Sequence, residues 1–106
     1  MSKKYWVYIL ACDNQSYYTG YTNNLIKRFA SHVNNTGRCK YTRSFKPLYI
    51  AQCWFILDNK SAALKFEKMI KRLPRLEKEK LIRQPLFHFE GMTLKAEFTE
   101  QFCPLI

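Results

Sequence analysis

Apolar and polar residues alternate with two different periods along this chain, and the changes of period predict its secondary structure. A compact aromatic and aliphatic run at residues 5–11 (YWVYILA) indicates a strand that is buried on both faces. The turn-forming residues 13–16 (DNQS) separate it from a second strand over 17–21, so the two runs are predicted to pair as a hairpin. A third strand-like run occupies residues 48–57.

Apolar residues spaced three or four positions apart predict a first helix over about residues 23–34. Thr22 or Asn23 can cap its N terminus, and Gly37 offers a left-handed position after its C terminus. The helix is predicted to pack on the sheet through a stripe of four residues: Leu25, Ile26, Phe29 and Val33.

A second helix is predicted over residues 62–73, with an N-cap at Asp58 or Ser61 and a break at Pro74. A third helical stretch, residues 75–83, ends before Pro85. The core-facing stripe of the second helix is predicted to comprise Ala63, Phe66, Ile70 and Leu73.

The order strand, strand, helix, strand, helix, helix predicts a small α/β (α+β) fold, in which a mostly antiparallel three-stranded sheet is flanked by helices. We assign residues 1–83 to this domain and residues 84–106 to a C-terminal extension of uncertain structure. The weak alternation in the extension is compatible with an added strand pair, an extended arm or a partner-binding tail.

The chain carries a formal charge of +10 over 106 residues, and that charge is unevenly distributed. Residues 1–57 hold eight Lys and Arg against one acid, and residues 58–83 hold nine against four. The last 23 residues hold one against three. A basic, aromatic-rich domain of this size favours a polyanionic partner, with nucleic acid the leading candidate, although a soluble protein can also simply be basic.

The four cysteines form no C-x-x-C pair, and the two histidines are too scattered for a zinc site. The N-terminal apolar run is too short for a signal sequence or a membrane span. We therefore expect a reduced, cytoplasmic protein that is not attached to a membrane. The sequence does not define its oligomeric state.

Arg28 and His32 are four residues apart, so they lie one above the other at the edge of the first helix's apolar stripe. In a structural interpretation, Arg28 lays its aliphatic part over the core and His32 interacts with the helix dipole. In a functional interpretation, both side chains face the strand ends as part of a site. Spacing alone favours the structural interpretation.

Glu67 lies at the margin of the second helix's apolar stripe, where partial burial of a carboxylate is costly unless it meets a cation. The cation is either Lys71, at i+4, or a divalent metal ion held by carboxylate and water oxygens. Tyr8 and Tyr18 leave a similar choice between hydrogen-bonded core residues and phenols that take a proton from water. The residues themselves favour the ion pair with Lys71 for Glu67, whereas the choice for the two tyrosines stays open.

Two tyrosine motifs, Trp6-Val7-Tyr8 and Tyr18-Thr19-Gly20, precede Arg28, His32, Lys40-Tyr41-Thr42 and Glu67. In this order and spacing the chain resembles the GIY-YIG nuclease family, and most of all its short, stand-alone bacterial members. The first motif stands where the family has Gly-Ile-Tyr, and the second where it has Tyr-Ile-Gly. The resemblance covers about residues 4–83 and implies a GIY-YIG-like fold.

The resemblance implies a metal-dependent endonuclease that hydrolyses DNA phosphodiester bonds. We expect it to be nicking or structure-selective and to act in DNA repair or recombination. One of the two tyrosines, Tyr8 and Tyr18, would help to activate water, and we favour Tyr18. Arg28 would bind the scissile phosphate, His32 would support the nucleophile or the tyrosine proton, and Glu67 would be the protein ligand of one Mg²⁺ or Mn²⁺. The expected nucleic-acid-binding residues are Lys27, Arg38, Lys40, Tyr41, Arg43 and Lys46.

Two other functions are compatible with the sequence. The cationic, aromatic segment 38–46 suits backbone contacts and base stacking, so the chain could be a catalytically weak or inactive nucleic-acid-binding module. Alternatively, four aromatic residues of the extension could dock a partner or a second copy: Phe87, Phe89, Phe98 and Phe102.

Overall fold

The two N-terminal strands form the predicted hairpin, β1 (Lys4–Cys12) and β2 (Tyr17–Thr22), joined by a turn in which Gln15 has a φ of 66°. In the computed structural model, β3 (Pro47–Leu57) pairs antiparallel with the other side of β1, so the strand order is β2-β1-β3. The structure describes the backbone of residues 3–34, 45–84, 86–89 and 92–95, and the side chains of 3–34 and 45–84. The predicted fold class is confirmed.

Alternating residues of β1 face opposite sides of the sheet, because successive side chains of a strand point in opposite directions. Val7 and Ile9 pack with helix α2 (Lys60–Arg72), whereas Tyr8 and Leu10 pack with helix α1 (Leu25–Asn34). The central strand is therefore buried on both faces, as predicted, and the two helices cover opposite faces.

Two details of the first predicted helix are wrong. Ile26 is 67% exposed, and the buried face of α1 is formed by Leu25, Phe29 and His32 instead. These three positions are spaced i, i+4, i+7, which places Ile26 about 100° away from Leu25. The N-cap is Asn24, whose Oδ1 accepts a hydrogen bond from the Lys27 amide at 3.1 Å.

The second predicted helix has its cap at Asn59, rather than at Asp58 or Ser61, because Asn59 Oδ1 accepts a hydrogen bond from the Ala62 amide at 2.9 Å. Its core stripe is confirmed at Ala63, Phe66 and Ile70, which are fully buried. After Pro74 the chain forms α3 (Arg75–Ile82).

Among the three structures considered for the extension, the described residues show the added strand pair. Strands β4 (Leu86–Phe89) and β5 (Met92–Lys95) pair antiparallel in a separate two-stranded sheet. The left-handed position predicted at Gly37 lies outside the described residues. In the described part of the chain, no helix has the length and apolar character needed to cross a membrane.

Candidate active site

Tyr8 and Gly20 lie directly opposite each other in the hairpin of β1 and β2. The Tyr8 ring lies so close to the Gly20 backbone that a Cβ atom at position 20 would be 2.5 Å from Tyr8 Oη and 2.7 Å from Cζ. Since Cβ atoms do not approach neighbours this closely, only glycine leaves room for the ring. The glycine of the second tyrosine motif is thus explained by the packing of the first.

Tyr8, Tyr18 and His32 form one cluster on the α1 face of the sheet. Tyr8 Oη and His32 Nε2 are hydrogen-bonded at 2.9 Å, and both residues are 1% exposed. The Tyr18 ring centroid lies 5.2 Å from that of His32 and 6.5 Å from that of Tyr8. Tyr18 is the more exposed tyrosine of the pair, so it is the one that solvent can reach.

The imidazole of His32 is held in its neutral form. Burial lowers its pKa from 6.5 to about 4, and the positive charge of Arg28, one turn earlier in α1, acts in the same direction. A neutral imidazole has one nitrogen that donates and one that accepts, so it can accept a hydrogen bond from a neighbouring phenol or donate one to it. The functional interpretation of His32 is compatible with this environment, and a helix-end cation is not.

The depressed pKa of His32 predicts that the free energy of unfolding depends on pH. The unfolded state binds a proton below about pH 6.5, whereas the folded state binds it only below about pH 4. The contribution of neutral His32 to the free energy of unfolding is therefore fully present above pH 6.5 and is lost as the pH falls toward 4. At about 1.4 kcal/mol per pKa unit, the expected loss between pH 7 and pH 4 is about 3 kcal/mol.

Urea unfolding at pH 7, 5.5 and 4 measures this loss, with His32→Gln as the comparison. Other groups titrate equally in both proteins, so the variant should show a pH dependence that is smaller by about 3 kcal/mol. An identical pH dependence in the two proteins would contradict the assignment of His32 as a buried neutral residue.

Arg28 lies one turn before His32 in α1 and lines two surface cavities. It is half-buried, its Nη1 donates to Ser31 Oγ at 3.4 Å, and its side chain lines two neighbouring cavities of about 320 and 250 Å³. Both cavities also contact Thr22 and Asn23, at the end of β2 where α1 begins. An anion that enters either cavity would meet the Arg28 guanidinium.

The structure brings Tyr8, Tyr18, Arg28 and His32 together and places Glu67 on the other side of the sheet. Glu67 belongs to α2, which packs over β1 and β2, and its side chain is 12% exposed. Its Oε2 lies 3.8 Å from Lys71 Nζ, the partner at i+4 that the sequence offers. A site that includes both Arg28 and Glu67 would have to extend around β2, which is an edge strand of the sheet.

The larger cavity at Arg28 reaches around this edge. It is lined on one side by Arg28 of α1, and on the other by Tyr5, Tyr21 and Lys60, the first residue of α2. Glu67 follows Lys60 by seven residues, which is nearly two turns, so the two share one face of α2 about 10 Å apart.

Glu67 is the candidate ligand of a divalent metal ion. In residues 3–34 and 45–84, no three His, Cys, Asp or Glu side chains come together, so a lone carboxylate would have to suffice. Mg²⁺ is often held by one carboxylate with water and substrate phosphate as the other ligands. The Lys71 ammonium, 3.8 Å away, forms an ion pair with this carboxylate but lies beyond hydrogen-bond distance.

Only part of the predicted nucleic-acid-binding set lies in the described chain. Lys27 is exposed beside Arg28, and Lys46 is exposed immediately before β3, where its carbonyl accepts a hydrogen bond from the Asp13 amide at 2.9 Å. The other four lie outside the described residues: Arg38, Lys40, Tyr41 and Arg43.

Ser31 and Lys60 were not anticipated from the sequence. The spacing of Ser31, three residues after Arg28, could have indicated its contact with the guanidinium. Lys60 gave no local signal, because it reaches the Arg28 cavity only through the packing of α2 on the opposite face of the sheet.

Comparison with known proteins identifies relatives over most of the chain. Residues 4–80 match the family model described as the GIY-YIG catalytic domain. A UPF0213 protein of Oceanobacillus iheyensis is 51% identical over 85 residues, covering 77% of this chain and 93% of that protein. A UPF0213 protein of Xanthomonas axonopodis is 41% identical over 98 residues, covering 92% and 94%. The solution structure of a UPF0213 protein from Bacillus halodurans is 35% identical with a TM-score of 0.46, covering 76% of this chain and 83% of that one.

Proposed function

The chain belongs to the GIY-YIG nuclease family, and from this premise we propose that it is a metal-dependent endonuclease that hydrolyses phosphodiester bonds in DNA. The observation that carries the proposal is the cluster of Tyr8, Tyr18 and His32, in which His32 lies one turn of α1 after the half-buried Arg28. The domain offers few elements that could read base edges, so we assign it nicking or structure-selective cleavage, in DNA repair or recombination.

Arg28 has the chemistry to bind the phosphate that is cut. A guanidinium presents parallel N–H groups that match two phosphate oxygens, and its charge is permanent. Because negative charge grows on those oxygens in the transition state, a fixed cation stabilises the transition state more than the ground state. The position of Arg28 on two open cavities supports this role.

The two tyrosines and His32 have different roles in the proposed reaction. Tyr18 is the phenol that an attacking water can reach, whereas Tyr8 is 1% exposed and hydrogen-bonded to His32. In the proposal, Tyr18 positions the water. The neutral His32 holds Tyr8 in place through their hydrogen bond and packs against the ring of Tyr18.

Glu67 is the residue that would hold the metal ion. When bound, Mg²⁺ or Mn²⁺ supplies positive charge to the oxygen that leaves the phosphorus atom. The proposal places the protein in the cytoplasm, where Cys12 and Cys53, both buried, stay as thiols.

The proposal is tested by incubating the purified protein with labelled single-stranded, duplex, flap and branched DNA in Mg²⁺, Mn²⁺ or EDTA. We expect cleavage of at least one substrate in either metal and none in EDTA. Arg28→Gln should lower kcat by ~10²–10³-fold, the usual cost of removing one preorganised donor to a developing oxyanion.

Arg72→Gln is the matched control, because Arg72 is an exposed arginine at the end of α2, away from the cluster. It should leave kcat unchanged. If the wild-type protein binds these DNAs but cuts none of them in either metal, the nuclease proposal fails, and the chain is a nucleic-acid-binding module.

A further inference from the structure

The Arg28 cavity is the middle of a longer groove. At one end it shares Thr22, Asn23 and Arg28 with the 250 Å³ cavity beside Lys27. At the other end it shares Tyr5, Asn23 and Lys60 with a third cavity of about 520 Å³, whose lining also includes Lys3 and Lys4. The three cavities form one continuous surface, the basic groove, which runs from α1 around the end of β2 to the start of β1 and α2.

Among the residues that the structure describes, the basic groove is lined by cations and by no carboxylate. Lys27 and Arg28 stand at one end, and Lys60, Lys4 and Lys3 at the other. In the described chain none of these four lysines forms an ion pair, whereas Lys71, Arg75 and Lys80 are paired with glutamates elsewhere. Lysines without a carboxylate partner repel one another, and a polyanion would relieve that repulsion.

One acid lies near the far end of the groove. Asp58 Oδ1 accepts a hydrogen bond from the Lys3 backbone amide at 2.5 Å, so this carboxylate lies next to the backbone of Lys3. Lys4 and Lys60 are therefore the two cations that we assign to phosphate binding where the groove reaches β1 and α2.

Two tyrosine rings line the middle of the groove. Tyr5 and Tyr21 are half-buried on the α2 face, and Tyr21 pairs with Val7, two residues from Tyr5. The two rings are thus diagonal neighbours on adjacent strands, roughly 7–8 Å apart. A ring flanked by cations is a platform on which a nucleic-acid base can stack, provided that the base is not already stacked inside a duplex.

We propose that the basic groove binds an unpaired DNA strand that flanks the scissile phosphate, with its phosphates on Lys4 and Lys60 and its bases on Tyr5 and Tyr21. The inference rests on the proposed nuclease function, because that function places the scissile phosphate at Arg28. The unpaired strand would then run from Arg28 along the groove. The substrate class is therefore a DNA with an unpaired segment beside the cut. A plain duplex offers no such segment.

The test measures binding without cleavage. Fluorescence anisotropy in EDTA follows the full-length protein with a labelled 12-nucleotide oligo-dT, an abasic strand of the same length and a 12-base-pair duplex. The wild-type protein should prefer the oligo-dT over each of the other two by ~5-fold or more, the lower bound of one base stacked on an aromatic side chain. Tyr5→Leu with Tyr21→Leu should abolish the preference over the abasic strand.

The charge of the groove is tested by Lys4→Ala with Lys60→Ala. The plot of log affinity against log salt falls with rising salt. Loss of two phosphate contacts should make that fall shallower by ~1.4 in slope for a single strand. Lys65→Ala with Lys68→Ala is the control, because it removes two exposed lysines of α2 that lie outside the groove. This control should leave the slope unchanged, and thermal melting confirms that all variants are folded.

The proposal would be overturned if the two double lysine variants showed the same salt dependence of affinity. It would also be overturned if the wild-type protein bound oligo-dT and the abasic strand with equal affinity. These outcomes are independent of the nuclease proposal, since that proposal fails only if the metal-loaded protein cuts no DNA.

Discussion

Glutamine in place of Glu67 is expected to lower metal-dependent DNA cleavage by at least ~10³-fold, because it removes the negative charge that would hold the ion. Several kcal/mol of charge stabilisation by a bound ion correspond to about three powers of ten in rate. Glutamine has nearly the same shape as glutamate, so it fills a position that is only 12% exposed without opening a cavity. The measurement is kcat in Mg²⁺ on the best substrate of the DNA panel.

The fold should tolerate Glu67→Gln. The substitution removes a single ion pair to Lys71, at 3.8 Å, whose lysine is 51% exposed. Pairs of this kind contribute about 0–1 kcal/mol, so the free energy of unfolding should change by no more than that. A large loss of cleavage with an unchanged unfolding curve would therefore be an effect on chemistry.

Glu77→Gln is the matched control for Glu67→Gln. Glu77 also pairs with a lysine on its own helix, Lys80 at 3.4 Å, but it is 49% exposed on α3. Glu77→Gln should cut DNA at the wild-type rate. Undiminished Mg²⁺-dependent cleavage by Glu67→Gln would remove Glu67 from the site, and the metal would then need other ligands.

The sheet and its helices could be predicted from the sequence because their signals are local. The run at 5–11 is apolar at nearly every position, and this pattern is explained by the central place of β1 between β2 and β3. Ile26 was misplaced because periodicity treats every aliphatic residue as a core residue. The packed helix buries His32 in its place, since a histidine that is hydrogen-bonded to Tyr8 can occupy a core position.

The candidate site could be predicted only in part, because only some of its contacts join residues that are close together in the sequence. Arg28 and His32 were found together because four residues on a helix are one turn. The contact of His32 with Tyr8 spans 24 residues, and no spacing in the sequence indicates it. The face of the sheet that carries Glu67 follows from how α2 packs, so the sequence order could not show that it lies across the sheet from Arg28.

Gly20→Ala is expected to destabilise the fold by about 4 kcal/mol. The new Cβ would lie 2.5 Å from Tyr8 Oη and 2.7 Å from Cζ, and the ring is buried and hydrogen-bonded, so it cannot move aside without cost. Overpacking in a core costs about 1–3 kcal/mol. Loss of the partner of a buried polar group, here His32 Nε2, costs about 1–3 kcal/mol more.

Thermal unfolding measures this change, and a shift of roughly 15–30 °C in Tm is expected for a domain of this size. A double-mutant cycle with Tyr8→Leu isolates its cause, because leucine lacks the atoms that the new Cβ would meet. In that background Gly20→Ala should cost less than about 1 kcal/mol. If it costs the same in both backgrounds, the strain lies in the backbone of β2. The glycine of the second motif would then be required for a reason other than the tyrosine of the first.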